Sequence, residues 1–478
     1  MGKGSLRGIV TAVVVAVVVA GALFYGRLRI RPPVRGSAAL AKARLEKRLP
    51  AAEAKLQAEL RRIRAAKQPT TIQEIEPPPV PDAENAAPLY EKAYAATSLN
   101  TDEIHTIERL FRPALNPEPE GSVGPSRAIV AKNRQAIALV YQATERPQCR
   151  LAVEWERGNP AIARHIHVVG HLCFPVVGTA VLHAMDGDVP GGLRALRVGI
   201  RLGDALTEEP TQPLQDARYT TYRFTLEALL VVLSAHRVTP DLAKPLYDQL
   251  AAIEIMESFA RGLIGDRARA FANYQKNQSL GLRSPENVFV PPEWALEASE
   301  WLPLMGERIA LADQPYRAVP KELEALDLRA RRFEHTTDMI GQQFFPSERS
   351  WATAPFQQRD TVIAQIGLAQ MALALKAYQA QHGGYPDSLG TLRSAVGWAI
   401  PGDPFSGRDF GYKRDGSAAV FYSIGPDLRD NGGTPQRRMG APGARPQGTP
   451  RPGAPQQRVR TPERRGERPG DIVWRLRA

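Results

Sequence analysis

Between Gly8 and Gly26 the chain runs for nineteen residues without a charge, mostly valine and alanine, which is about the length that spans a hydrocarbon core as a helix. It is read as the one membrane-spanning stretch of the sequence. A removable signal peptide is the competing reading, since Lys3 and Arg7 give a basic start and Ala20-Gly21-Ala22 offers the small residues of a cleavage site. The apolar run continues past that point through Leu23, Phe24 and Tyr25, and an aromatic pair suits a membrane interface. The sequence therefore predicts a short tail, residues 1–7, and a retained transmembrane anchor, residues 8–26.

The net charge of +12 is unevenly placed. Residues 27–67 hold thirteen Lys and Arg against Glu46, Glu53 and Glu59, and residues 434–470 hold nine Arg against Glu463 and Glu467. The block 68–433 is left at −8, so the folded part is acidic. Basicity beside the membrane and in one segment points to anionic lipid or another envelope polyanion, and away from base-reading grooves for nucleic acid. Cys149 and Cys173, both expected in helical surroundings, are too few for a disulfide framework.

Residues 27–81 read as a basic helical stalk followed by a proline-rich linker. Leu49, Leu56 and Ile63 stand at heptad spacing in the stalk, too short a seam for a coiled coil, and Pro77 to Pro81 form an extended spacer. From 82 to 320 the period is helical. Asp82 or Asn85 can cap a helix carrying Leu89, Tyr90, Ala93 and Tyr94; Leu193, Leu196 and Ile200 form one apolar stripe, and Tyr219, Tyr222, Leu226, Leu229 and Leu233 another. Pro210, Pro213 and Pro240 cut this region into short helices, the layout of a bundle or irregular helical array. Residues 283–320 carry enough prolines to read as a connector. Helix resumes over 321–332 and again over 358–381, where Gly383-Gly384 ends it. The expected class is mainly α, with a small C-terminal α+β domain built from residues 321–433 and 470–478.

That C-terminal part has turn-rich segments, Tyr385-Pro386-Asp387, Asp403-Pro404-Phe405 and Phe410-Gly411-Tyr412, then two strands, 418–424 and 472–476, expected to pair in a small antiparallel sheet. In this order, with Phe421-Tyr422-Ser423-Ile424-Gly425-Pro426-Asp427 and Asp471-Ile472-Val473-Trp474, the residues resemble the C-terminal globular domain of the type II secretion major pseudopilins. The likeness covers about a sixth of the chain. It implies an extracytoplasmic domain and a calcium ion held by Asp427, Asp430 and Asp471, a plausible set because calcium takes six to eight oxygens. The same residues beside Gly432-Gly433 are also ordinary turn formers. The anchor lacks a pilin processing site and lies far from the sheet, so the chain is not expected to be a pilus subunit. Residues 434–469, with eight prolines and nine arginines, interrupt the likeness and are expected to be a disordered insertion, solvated or polyanion-binding. An anchored chain with a helical middle and this end also resembles uncharacterised envelope proteins of planctomycete-type bacteria. The resemblance implies an inner-membrane, single-pass protein with its bulk in the periplasm. Arg27, Arg29, Arg31 and Arg35, which outnumber Lys3 and Arg7, argue for the cytoplasmic side instead.

His165, His167, His171 and His183 form the one histidine cluster. His167 and His171 share a helix face as metal ligands would, with Asp186 and Asp188 available to complete a site, but the glutamate of a metalloprotease helix is missing and apolar neighbours favour packed histidines. Glu154 and Glu156 around Trp155 do not make a glycosidase pair, because residues two apart on a helix diverge. Phosphate-binding loops, nucleophile elbows and Cys-x-x-Cys pairs are absent from the sequence. The expectation is a non-enzymatic envelope protein acting in scaffolding or protein contact, with a membrane-tethered metal hydrolase at His167 and His171 as the alternative.

Overall fold

The computed structural model describes residues 35–112, 120–155, 159–279, 293–334, 350–434 and 470–477. The anchor Gly8 to Gly26 and nearly all of the 434–469 insertion lie outside the described residues. Fifteen described helices and three strands follow in order: α1 (Arg35–Ala65), α2 (Ile72–Ile75), α3 (Ala87–Ala96), α4 (Thr101–Phe111), α5 (Glu120–Lys132), α6 (Arg134–Thr144), α7 (Asn159–Met185), α8 (Val189–Asp204), α9 (Gln212–Ala235), α10 (Pro240–Ala251), α11 (Met256–Ser279), α12 (Glu293–Ala310), α13 (Pro320–Glu334), α14 (Thr353–His382), α15 (Leu389–Val396), β1 (Gly411–Asp415), β2 (Ala418–Ser423) and β3 (Ile472–Leu476). The fold is mainly helical with one small antiparallel sheet in the order β1-β2-β3.

Helices α7, α8 and α9 pack on one another at the centre, and α14 joins them against α9 and α10. Two glycines of α8 set the closeness of this packing. A Cβ on Gly192 would stand 2.9 Å from the Ala180 carbonyl oxygen of α7, and one on Gly203 would meet the Tyr222 ring of α9 at 2.4 Å. Every residue of the expected stripes on α8 and α9 is buried, from Leu193, Leu196 and Ile200 to Tyr219, Tyr222, Leu226, Leu229 and Leu233. Pro213 and Pro240 sit in first turns, where a missing N–H costs nothing. Residues 161–185 of α7, and α14, are long and apolar enough to cross a bilayer, yet 72% and 78% of their most apolar windows are buried inside the protein. They serve as its core helices.

Several local expectations are corrected. Cys149 lies in an extended segment after α6, not in a helix, where Asn85 and Gln148 form an isolated bridge. Part of the 283–320 connector is the eighteen-residue helix α12, with Pro303 inside it. Residues 389–396 form a helix capped by Ser388, whose Oγ accepts the Thr391 N–H. A third strand, β1, precedes the expected two; its exposed Lys413, Arg414 and Asp415 hide any alternation, and its pairing partner, not its own pattern, makes it a strand. Of the heptad seam of α1, Leu56 and Ile63 are buried and Leu49 is half-buried; with Ala52 and Leu60, also buried, they pack the helix along α12. Gly383, at φ +78°, ends α14 in the left-handed conformation. A single apolar core extends from Leu56 to Leu476.

Candidate functional site

The loop between β2 and β3 gathers Asp427, Asp430 and Asp471, and the local chemistry shows what holds it. Leu428 at φ +58°, Gly432 at +66° and Gly433 at +77° turn the backbone so that its N–H groups point inward. Asp471, 1% exposed, accepts the Asn431 N–H on Oδ1 at 3.1 Å and the Gly433 N–H on Oδ2 at 2.7 Å. Asp427 accepts the Arg429 N–H at 3.1 Å, and Asp430 accepts the Gly432 N–H at 2.8 Å and the Tyr422 hydroxyl at 3.0 Å. The Asn431 amide donates to both Asp427 and Asp471 at 3.3 Å. Beneath the loop the Tyr422 ring covers Gly411 of β1, where a Cβ would stand 2.2 Å away. The three carboxylates are thus brought to one loop, but each is turned to the loop's own donors. Among the described residues no three His, Cys, Asp or Glu side chains stand at metal-ligand spacing. A calcium ion here would take over oxygens that now hold N–H groups.

The histidine cluster is spread along α7. His167 and His171 do share a face, with ring centroids 5.8 Å apart, and His171 meets Tyr94 of α3 edge-on at 5.7 Å. His171 Nδ1 lies 3.0 Å from the His167 carbonyl oxygen, leaving Nε2 as its outward nitrogen. His165 points elsewhere, into the interior, with Nδ1 3.7 Å from Glu91; burial pulls its pKa below the ordinary value. Asp186 and Asp188 stand fifteen or more residues beyond His171, about 22 Å along a helix, and are otherwise engaged. Asp186 accepts from Nη1 and Nη2 of Arg127, while Asp188 meets His183 at 2.8 Å and caps α8. They do not complete a site with His167 and His171. Trp155 is buried, and Glu156 lies outside the described residues.

Sequence reasoning missed a buried polar chain between α8 and α9. Arg218, 1% exposed, donates through Nε to the Tyr222 hydroxyl at 2.9 Å and through Nη1 to Ser258 at 2.8 Å; Tyr222 in turn donates to Asp204 at 2.5 Å. Burial raises the Asp204 carboxyl against the pull of Tyr222 and Arg218. Asp204 opens on a cavity of about 30 Å³, room for a water, lined also by Tyr90, Cys149 and Arg201. Spacing gave no hint, since Arg218 and Tyr222 fall on the same apolar stripe as the core leucines. A second cleft of about 350 Å³ runs between α7 and α9, past Ile166, Gly170, Ala217, Thr220 and Phe224.

Glu209, in the turn before α9, is fully buried. Neither carboxylate oxygen has a hydrogen bond of good geometry, and the nearest cation, Arg150 Nη1, is 3.7 Å away. Burial pushes this carboxyl up from 4.5 to about 7. A carboxyl that binds its proton more tightly folded than unfolded favours the folded state at low pH, and this advantage disappears as pH rises through the folded value. The wild type is therefore expected to lose on the order of 2 kcal/mol between about pH 5 and pH 8, relative to Glu209→Gln. Parallel denaturant titrations check this; curves that keep a constant separation across that range would refute it.

No protein-family model, no curated protein and no solved structure matches this chain.

Proposed function

We propose that the chain is a non-enzymatic, single-pass inner-membrane protein with its bulk in the periplasm, where its helical body and small α+β part act as a scaffold for another envelope protein. The observation that carries this reading is where three sets of buried ionic groups spend their bonds. Arg359 and Asp360 tie down the loop before α13, Arg218 and Asp204 join α8 to α9, and Asp403 binds four donors of the C-terminal part. Each is committed to the frame, and a side chain so committed has little freedom to take up or release substrate protons. The pseudopilin resemblance adds a link to secretion-type machinery.

A membrane-tethered metal hydrolase is the rival reading, favoured by the shared face of His167 and His171. Elemental analysis of the purified full chain separates the two. The scaffold reading expects neither zinc nor iron in stoichiometric amount; either metal, present one to one and lost in His167→Ala, would replace it with the hydrolase.

By the resemblance, the loop takes calcium through Asp427, Asp430 and Asp471. Asp430 Oδ2 takes part in no hydrogen bond among the described residues, and flexible-loop carboxylates with nearby carbonyls suit this ion. Calcium is expected to raise the melting temperature, a chelator to reverse the rise, and Asp430→Asn to abolish it. A ten-fold excess of calcium over the dissociation constant would add about 1.4 kcal/mol. A melting curve indifferent to both calcium and chelator removes the ion and leaves the loop held by hydrogen bonds alone.

A further inference from the structure

We propose that the outward face of α1 seats the helical body on anionic phospholipid headgroups of the leaflet it adjoins, an inference that rests on the anchor read at Gly8 to Gly26. Helix α1 is built into the body. Ala52, Leu56, Leu60 and Ile63 bury its inner face against α12, Lys55 pairs with Glu300 at 2.6 Å, and a Cβ on Gly306 of α12 would stand 2.5 Å from Arg62 Nη2. A helix packed this way cannot swing as a free stalk; the direction its outer face takes is the direction the body takes.

Opposite the buried seam run Lys47, Ala51, Ala54, Ala58, Arg61 and Ala65, with Arg48 and Arg64 on the flanks, all exposed. Lys47, Arg48, Arg61 and Arg64 have no ion-pair partner among the described residues, and Glu53 is the one exposed carboxylate between Lys47 and Ala65. Basic groups on short alanine ground, with no large apolar side chain, suit a charged surface that is touched and not entered. The eight residues from Arg27 to Val34 reach at most roughly 25–30 Å, so α1 starts close to the end of the anchor. The −8 carried by residues 68–433 favours turning the basic face of α1, and not the acidic body, toward an anionic surface.

The test uses the full chain in phosphatidylcholine vesicles with and without phosphatidylglycerol, with Ala54→Cys carrying a fluorophore and the lipid headgroups carrying a quencher. Cys149 and Cys173 are slow to label, because burial pushes both thiols up to about 12. Quenching should be several-fold stronger with phosphatidylglycerol, fall with added salt, and fall to the phosphatidylcholine level in the Lys47→Glu, Arg61→Glu, Arg64→Glu variant, whose circular dichroism should match the wild type. Each basic side chain near such a surface strengthens contact roughly five-fold. Equal quenching in both lipids, with protein that stays in carbonate-washed vesicles, overturns the seating and keeps the anchor. Protein that leaves the washed vesicles overturns the anchor itself and the seating with it.

Discussion

Arg359→Met should lower the free energy of unfolding by about 3–5 kcal/mol, the cost of removing one partner from a buried ion pair. Arg359 is fully buried on α14, and its guanidinium lies against the edge-to-face pair of Phe259 and Phe356, 4.8 and 4.9 Å from their ring centres. Each of its three nitrogens donates: Nε to Asp360 at 2.7 Å, Nη1 to the Ala312 carbonyl at 2.6 Å and Nη2 to the Gln314 carbonyl at 2.7 Å. Asp360 accepts the Tyr316 N–H at 2.7 Å with its other oxygen, so the pair fastens the loop between α12 and α13 at Ala312, Gln314 and Tyr316. Methionine keeps an apolar stem against the two rings and strands a buried carboxylate and two carbonyls. Burial already raises the Asp360 carboxyl against the pull of Arg359; without the cation it should bind its proton higher still. The double variant Arg359→Met, Asp360→Asn should recover part of the loss, because asparagine still accepts from Tyr316 and carries no charge. Urea titration of the three proteins decides the matter: a loss under about 1 kcal/mol for the single variant would show that the pair is not what holds the loop.

The contrast between stripe and pair shows how far a sequence carries the fold. Helices α8 and α9 were legible because their burial is a matter of period: Leu193, Leu196 and Ile200 recur at helix spacing, and the face they define meets whatever apolar face is nearest. Arg359 was not legible, because its partners Ala312 and Gln314 lie 47 and 45 residues away and are carbonyls, which every residue has. Strand β1 was missed for a related reason; Lys413 to Asp415 become a strand by pairing with Val420 to Ala418, with little pattern of their own. The aspartates of the β2–β3 loop were found as a set, and the seam of α1 as a seam. What each one faces, the loop's own N–H groups and α12, depends on contacts that no local pattern records.

Asp403 carries this furthest. In the sequence it is the first residue of an Asp-Pro-Phe turn, and a turn is all its spacing indicates. Folded, at 2% exposure, its Oδ1 accepts the Phe405 N–H at 3.1 Å and the Ser423 hydroxyl at 2.6 Å, and its Oδ2 accepts the Ser406 N–H at 3.2 Å and the Ile424 N–H at 3.3 Å. Two of those donors belong to its own turn and two to the end of β2, so one carboxylate fastens the Phe405 turn to the sheet that packs on α14. Asp403→Ala leaves four donors without an acceptor, two or more of them buried, and should cost about 3–5 kcal/mol, since each buried donor left unmet costs about 1–3 kcal/mol. Asp403→Asn should cost less than half of that, because the amide oxygen can still serve one pair of donors while its NH₂ faces the other. The expected signature is local as well as global: hydrogen exchange at Phe405, Ser406 and Ile424 should quicken together in the asparagine variant, while amides in α8 and α9 keep their protection. Equal losses for alanine and asparagine would mean that the charge, and not the number of acceptors, holds the turn. If the alanine variant were as stable as the wild type, the turn would be held by the burial of Phe405 alone.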